Sequence, residues 1–196
     1  REAYMNLDDA IRLTEIALGF AFLQQSIEHL RANTSDQQLF LPRIFLAILL
    51  ITGFHTPFIC AALLLLSLLI LKRFDGPYNG GSDRMGLLAL WCLTLSRLLP
   101  TPQGQELAFG YLGAQLVLSY FIAGGVKILN PDWRSGRALR DVFQFSTYPV
   151  AEDLRRWADR PRVLLAMSWA VMLFELVFPL TLLWKPALIA GLVVAG

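Results

Sequence analysis

Between Leu107 and Leu129 the chain is apolar over a length that lets one helix cross a lipid bilayer. The segment ends in Phe-Ile-Ala-Gly-Gly-Val-Lys-Ile-Leu-Asn-Pro-Asp-Trp, Phe121 to Trp133, which sets the amine of Lys127 at the edge of the apolar region and a polar cap directly after it. Charge at membrane depth is costly and tends to be kept for a reason. Any fold for this chain has to accommodate that junction.

Composition agrees with the junction. Of 196 residues, 56% are hydrophobic and only 16% are charged, against about 25% charged in an average soluble domain. The length allows one domain, spanning residues 1–196, and the last residues stop inside an apolar run, which predicts a chain incomplete at its C-terminus. A net charge of +2 without a basic block is too small to argue for a nucleic-acid partner, and none is expected. Cys60 and Cys92 fall inside apolar segments, make no disulfide framework or metal spacing, and read as small buried hydrophobes. His29 and His55 are too far apart in sequence for a ligand pair, so no metal site is expected. The sequence holds no nucleotide loop, no Ser/His/Asp arrangement, no repeat and no low-complexity tract.

The pattern predicts an all-α, polytopic transmembrane bundle of about seven helices. Ala10 to Leu30 is a helix carrying Arg12, Glu15, Gln24, Gln25, Glu28 and His29. It is either a membrane helix whose polar side faces other helices or an amphipathic helix in the interface. Leu39 to Phe54 and Pro57 to Leu71 form an antiparallel hairpin turning at Gly53-Phe54-His55-Thr56-Pro57, with Pro42 in the first helical turn. A turn-rich loop containing Asp75 and Asn79 follows, and Ser82 or Asp83 caps a helix over Met85 to Leu99. A cation bound by Asp75 and Asp83 is the less favoured reading of that loop. After the loop Thr101 to Glu106 comes the helix Leu107 to Leu129, whose Gly110, Gly113, Gly124 and Gly125 suit close packing in lipid. Residues 130–162 are an extramembrane or interfacial segment, with short amphipathic helices over Ser135 to Phe145 and Ala151 to Ala158. Val163 to Trp184 is a sixth spanning helix with Glu175 near its middle, and Lys185-Pro186 turns the chain into a seventh.

The run Tyr120 to Leu139, Tyr-Phe-Ile-Ala-Gly-Gly-Val-Lys-Ile-Leu-Asn-Pro-Asp-Trp-Arg-Ser-Gly-Arg-Ala-Leu, resembles the signature of HTTM-domain membrane proteins, the bacterial relatives of vitamin K-dependent γ-glutamyl carboxylase. Arg12 in the first helix, the loop Asn79 to Asp83 and the sequence Phe174-Glu175-Leu176-Val177-Phe178-Pro179 fit the same family. The resemblance implies a multi-pass protein of the bacterial cytoplasmic membrane, acting on a peptide or on a reduced, quinone-like cofactor. In the carboxylase two successive lysines follow Gly-Val, and the second is taken as the catalytic base. Here that position is Ile128, which cannot serve, and Lys127 points about 100° away around the helix. A non-catalytic subunit or scaffold of a larger membrane assembly is the alternative.

Candidate catalytic residues are Lys127 and Glu175. Lys127 reads as a lysine snorkelling to the interface, as an amine facing a lipid or quinone pocket, or as half of a buried ion pair. Glu175, set among Met172, Leu173, Phe174, Leu176, Val177 and Phe178, must protonate or find a cation. Pairing with Arg12 or Arg97 and a proton-handling role both remain open. Arg97 alternatively snorkels, and Arg12 with Glu15 makes a local pair one turn apart. Asn130, Pro131, Asp132 and Trp133 read as structural: a cap, a fixed helix start and an interfacial anchor. The positive-inside rule puts the arginine-rich side, after helices one, three and five, in the cytoplasm, whereas the carboxylase resemblance implies the reverse.

Overall fold

The structure is a computed structural model and describes residues 6–32, 37–73, 81–145 and 156–195. These residues are helical, with no strand among them. The chain divides into two compact units, Arg1–Gly113 and Ala114–Gly196.

The first unit is an up-and-down arrangement of α1 (Leu7–Ala32), α2 (Gln37–Thr52), α3 (Thr56–Arg73) and α4 (Gly81–Leu98). The start of α5 (Pro102–Leu129) packs on it through Phe109 and Leu112. The core is Ile11, Phe22, Ala47, Leu50, Ile59, Cys60, Leu63, Leu64, Leu90 and Leu93. The hairpin between α2 and α3 forms where glycine permits it. Gly53 has φ +84 and opens a reversed turn in which its N–H bonds the Leu50 carbonyl at 3.2 Å and the Phe54 N–H bonds that of Leu49 at 3.1 Å. That is the Schellman way of closing a helix. His55, with φ +40, completes the turn.

The second unit contains the end of α5, the short α6 (Pro131–Arg134) and α7 (Arg137–Phe145), a 3-10 turn (Arg156–Asp159) and α8 (Pro161–Val177). A 3-10 stretch (Phe178–Leu183) and α9 (Lys185–Ala195) follow. Leu164, Ser168, Met172 and Glu175 form the buried stripe of α8, spaced as one helix face requires. α5 and α8 run antiparallel.

Several boundaries differ from the sequence expectation, each for a physical reason. α2 begins at Gln37, so Pro42 lies past the first turn and removes an internal N–H. α4 begins at Gly81, so Asp83 is in its first turn, where a carboxylate suits the positive end of the helix dipole. α5 begins at Pro102, so most of the expected loop Thr101 to Glu106 is helical. Proline tolerates the first helical position, and the Thr101 hydroxyl caps the turn by accepting from the Gly104 N–H at 3.2 Å. The expected helix Val163 to Trp184 starts at Pro161 and changes to 3-10 at Phe178. Pro179 has no N–H to return to the Glu175 carbonyl, so regular α-geometry cannot continue there.

Three helical stretches among the described residues are long and apolar enough to cross a membrane: Thr56–Arg73, Pro102–Leu129 and Pro161–Leu183. Gln37–Thr52 and Lys185–Val194 are apolar but shorter. α1 and α4 carry charge, α1 at Asp8, Asp9, Arg12, Glu15, Glu28 and Arg31, and α4 at Asp83, Arg84 and Arg97.

Candidate functional site

In the second unit the junction read from the sequence folds back along α8. Gly124 meets α8 so closely that a Cβ there would lie 2.9 Å from the Leu176 backbone nitrogen and 3.0 Å from the Glu175 Cβ. One turn later on the same face, the Lys127 ammonium donates to Glu175 Oε1. The missing side chain at residue 124 thus brings the two helices close enough for the pair to form. Lys127 Nζ also sits 4.9 Å from the centre of the Trp133 ring, within range of a cation–π contact. One turn before Gly124, Tyr120 closes the seam against Phe178 (4.6 Å between ring centres) and Phe174 (6.0 Å, edge-on).

Past the end of α5, Asn130 takes an extended conformation and its Oδ1 accepts from the Asp132 N–H at 2.9 Å. Asn130 therefore caps α6, with Pro131 in its first turn. The chain then lies on α8. Ser168 Oγ donates to the Trp133 carbonyl, Trp169 Nε1 donates to that of Arg134 at 3.2 Å, and Gly136 rests on Leu165. Gly136 has φ +76, and a Cβ there would lie 2.9 Å from the Leu165 nitrogen, so both backbone and space demand glycine. Asp132 pairs with Arg137 at 3.0 Å on the surface.

Glu175 is 9% exposed. Its Oε1 is taken by Lys127, but Oε2 is buried without a hydrogen-bond partner. Burying an unsatisfied carboxylate oxygen is costly, so half of this group remains able to accept a donor. The sequence offered Arg12 or Arg97 as the partner of Glu175, and the structure gives Lys127. The Lys127 side chain is 21% exposed and ion-paired.

Arg12 and Arg97 are engaged in the first unit by Glu15, which is completely buried. Arg12 Nη1 reaches Glu15 Oε2 at 3.0 Å, and Arg97 Nε reaches Oε1 at 2.9 Å. Arg97 also contacts the exposed Asp8 at 3.2 Å. Arg12 spends its other donors on α2, bonding the carbonyls of Leu50, at 2.8 Å, and Ile51. A guanidinium there satisfies carbonyls left open at a helix C-terminus and suits the negative end of its dipole. Glu15 thus locks α1 to α4, and Arg12 locks α1 to the end of α2.

At the opposite end of this unit Asp83 accepts from Gln25 Nε2 at 3.0 Å. Arg43, which the sequence reading passed over, is 5% exposed and lies 4.3 Å from the Phe22 ring centre, with its Nε buried and unpartnered. An arginine inside an apolar helix, directly after Pro42, was the signal that marked it. His29 Nδ1 donates to the Gln25 carbonyl at 3.0 Å, and the ring stacks on Phe40. Cys60 and Cys92 are buried free thiols. No group of His, Cys, Asp and Glu among the described residues is arranged to hold a metal ion. Asn79 and Asp75 lie outside the described residues, as does most of the expected helix over Ala151 to Ala158.

Compared with known proteins, the chain matches no family model, no curated protein and no solved structure.

Proposed function

We propose that the chain is a membrane-integral protein of the HTTM type, with about seven helices crossing or entering the bilayer, and that the Lys127–Glu175 pair is its working centre. The observation that carries this reading is Glu175 Oε2, a buried carboxylate oxygen with no partner in the apolar C-terminal part of α8. Ionisable groups at such depth mark substrate or proton sites more often than they serve stability. Lys127 is committed as counter-ion to Glu175 Oε1 and is no free base. Together with Ile128 at the expected base position, this argues against glutamate carboxylation by a lysine. Acid–base work falls to Glu175, whose open oxygen suits a hydroxyl or amide donor from a quinone-like cofactor or a peptide.

Mild-detergent purification tests the reading. Mass spectrometry should find a quinone or peptide retained by the wild-type protein and lost from a folded Glu175→Gln variant. Retention independent of Glu175 would remove the assigned role.

A second reading, a non-catalytic scaffold in a larger assembly, draws on the extent of exposed apolar side chains, among them Leu107, Phe121, Val126, Leu129, Leu183 and Val193. Stoichiometric protein partners with no small molecule in the same preparation would favour it. A chain that stays monomeric in solution without detergent would overturn both readings.

A further inference from the structure

The end of the second unit where α5 exits and α8 begins is ringed with arginine. Arg134, Arg140, Arg160 and Arg162 are exposed and carry no ion pair among the described residues, while Arg137 is tied to Asp132. The elements presenting them form one platform. α6 and α7 rest on α8 through Gly136 and Leu165, and α7 also packs against the turn Arg156–Asp159. α7 is two-sided: Leu139, Val142 and Phe143 recur at helical spacing, with Arg137, Arg140 and Asp141 on the rest of its surface. Trp169, partly exposed, has its indole N–H fixed to the Arg134 carbonyl at this same level.

We propose that this platform binds the headgroups of anionic phospholipids. The inference rests on the membrane-integral reading but not on any role for Glu175. Basic groups alternate here with apolar side chains and an indole, the composition that suits the boundary between headgroups and acyl chains. Guanidinium groups match phosphate geometry through paired N–H donors. Lipid supplies both halves of the contact, since its phosphate meets the arginines while its upper acyl segments cover Val142. A free phosphate would leave that apolar side uncovered. The platform accordingly faces the more anionic leaflet, which agrees with the charge distribution along the sequence.

The test uses the full chain in a neutral detergent, titrated with phosphatidylglycerol or phosphatidylcholine of equal chain length and followed by tryptophan fluorescence. Phosphatidylglycerol should bind at least about tenfold more tightly, and the preference should weaken as salt rises. The combined variant Arg134→Gln, Arg140→Gln, Arg160→Gln, Arg162→Gln should lose most of it. Lys185→Gln, at the start of α9, should retain it. Equal binding of the two lipids, an unchanged quadruple variant, or an equal response to inorganic phosphate would each overturn the proposal. Whether alkaline washing leaves the protein in the membrane fraction is measured separately, so failure of the membrane reading is told apart from failure of the headgroup site.

Discussion

Gly124 and Lys127 lie one turn apart on the same face of α5, and the first makes room for the second to reach Glu175. Small-residue contact and charge pairing are therefore one feature of this seam. Changing either member should be felt by the other.

Gly124→Ala should destabilise the protein, because the new methyl would sit 2.9 Å from a backbone nitrogen that cannot swing aside. Gly125→Ala, where the same methyl meets open space, should be neutral or stabilising by up to about 1 kcal/mol through helix propensity. Thermal unfolding of the two variants in one detergent checks the contrast, and equal effects would refute the close approach.

Glu175→Gln keeps the shape of the side chain but strands the Lys127 ammonium. The expected loss is roughly 2–4 kcal/mol, below the upper end for buried pairs because Lys127 is partly exposed. Lys127→Met combined with Glu175→Leu should recover most of that loss, since an apolar pair has no charge to desolvate. A double-mutant cycle on chemical denaturation reads the coupling; additive effects would mean that the pair does not form.

Around Glu15 a graded series is expected. Glu15→Gln leaves two guanidinium groups facing an uncharged amide and should cost about 3–5 kcal/mol. Arg12→Met should also destabilise, because it opens the carbonyls at the end of α2. Asp8→Asn should change nothing measurable, since that carboxylate is 75% exposed and its attraction is screened by water. Unfolding midpoints in that order would support Glu15 as the tie between α1 and α4.

Asn130→Ala should cost about 1 kcal/mol by leaving the Asp132 N–H without its cap, while Asn130→Asp should hold stability near the wild type. If alanine and aspartate behaved alike, the cap would be idle.

Local chemistry was readable from the residues, and long-range pairing was not. The turn at Gly53, the cap at Asn130 and the local pair of Arg12 with Glu15 all follow from spacing within a few residues, and each is present. The partner of Glu175 was not accessible in that way. Arg12, Arg97 and Lys127 are all cations on helices, and periodicity does not say which two helices touch. Glycine shows the same limit. Gly110, Gly113, Gly124 and Gly125 look equivalent in sequence, yet only Gly124 has a neighbour within reach of a Cβ. Helix ends moved where proline acts at a distance, at Pro102 and Pro179, because its effect depends on which N–H the helix would otherwise have used.

The change of winding after Val177 also alters reach. The 17 residues of α8 rise about 26 Å at α-helical spacing, short of a hydrocarbon layer about 30 Å thick. The six residues from Phe178 to Leu183 add about 12 Å at the steeper 3-10 rise, where α-geometry would add about 9 Å. In the membrane-integral reading, the proline that ends regular α-helix beyond Glu175 lets a modest number of residues stretch from one lipid face to the other.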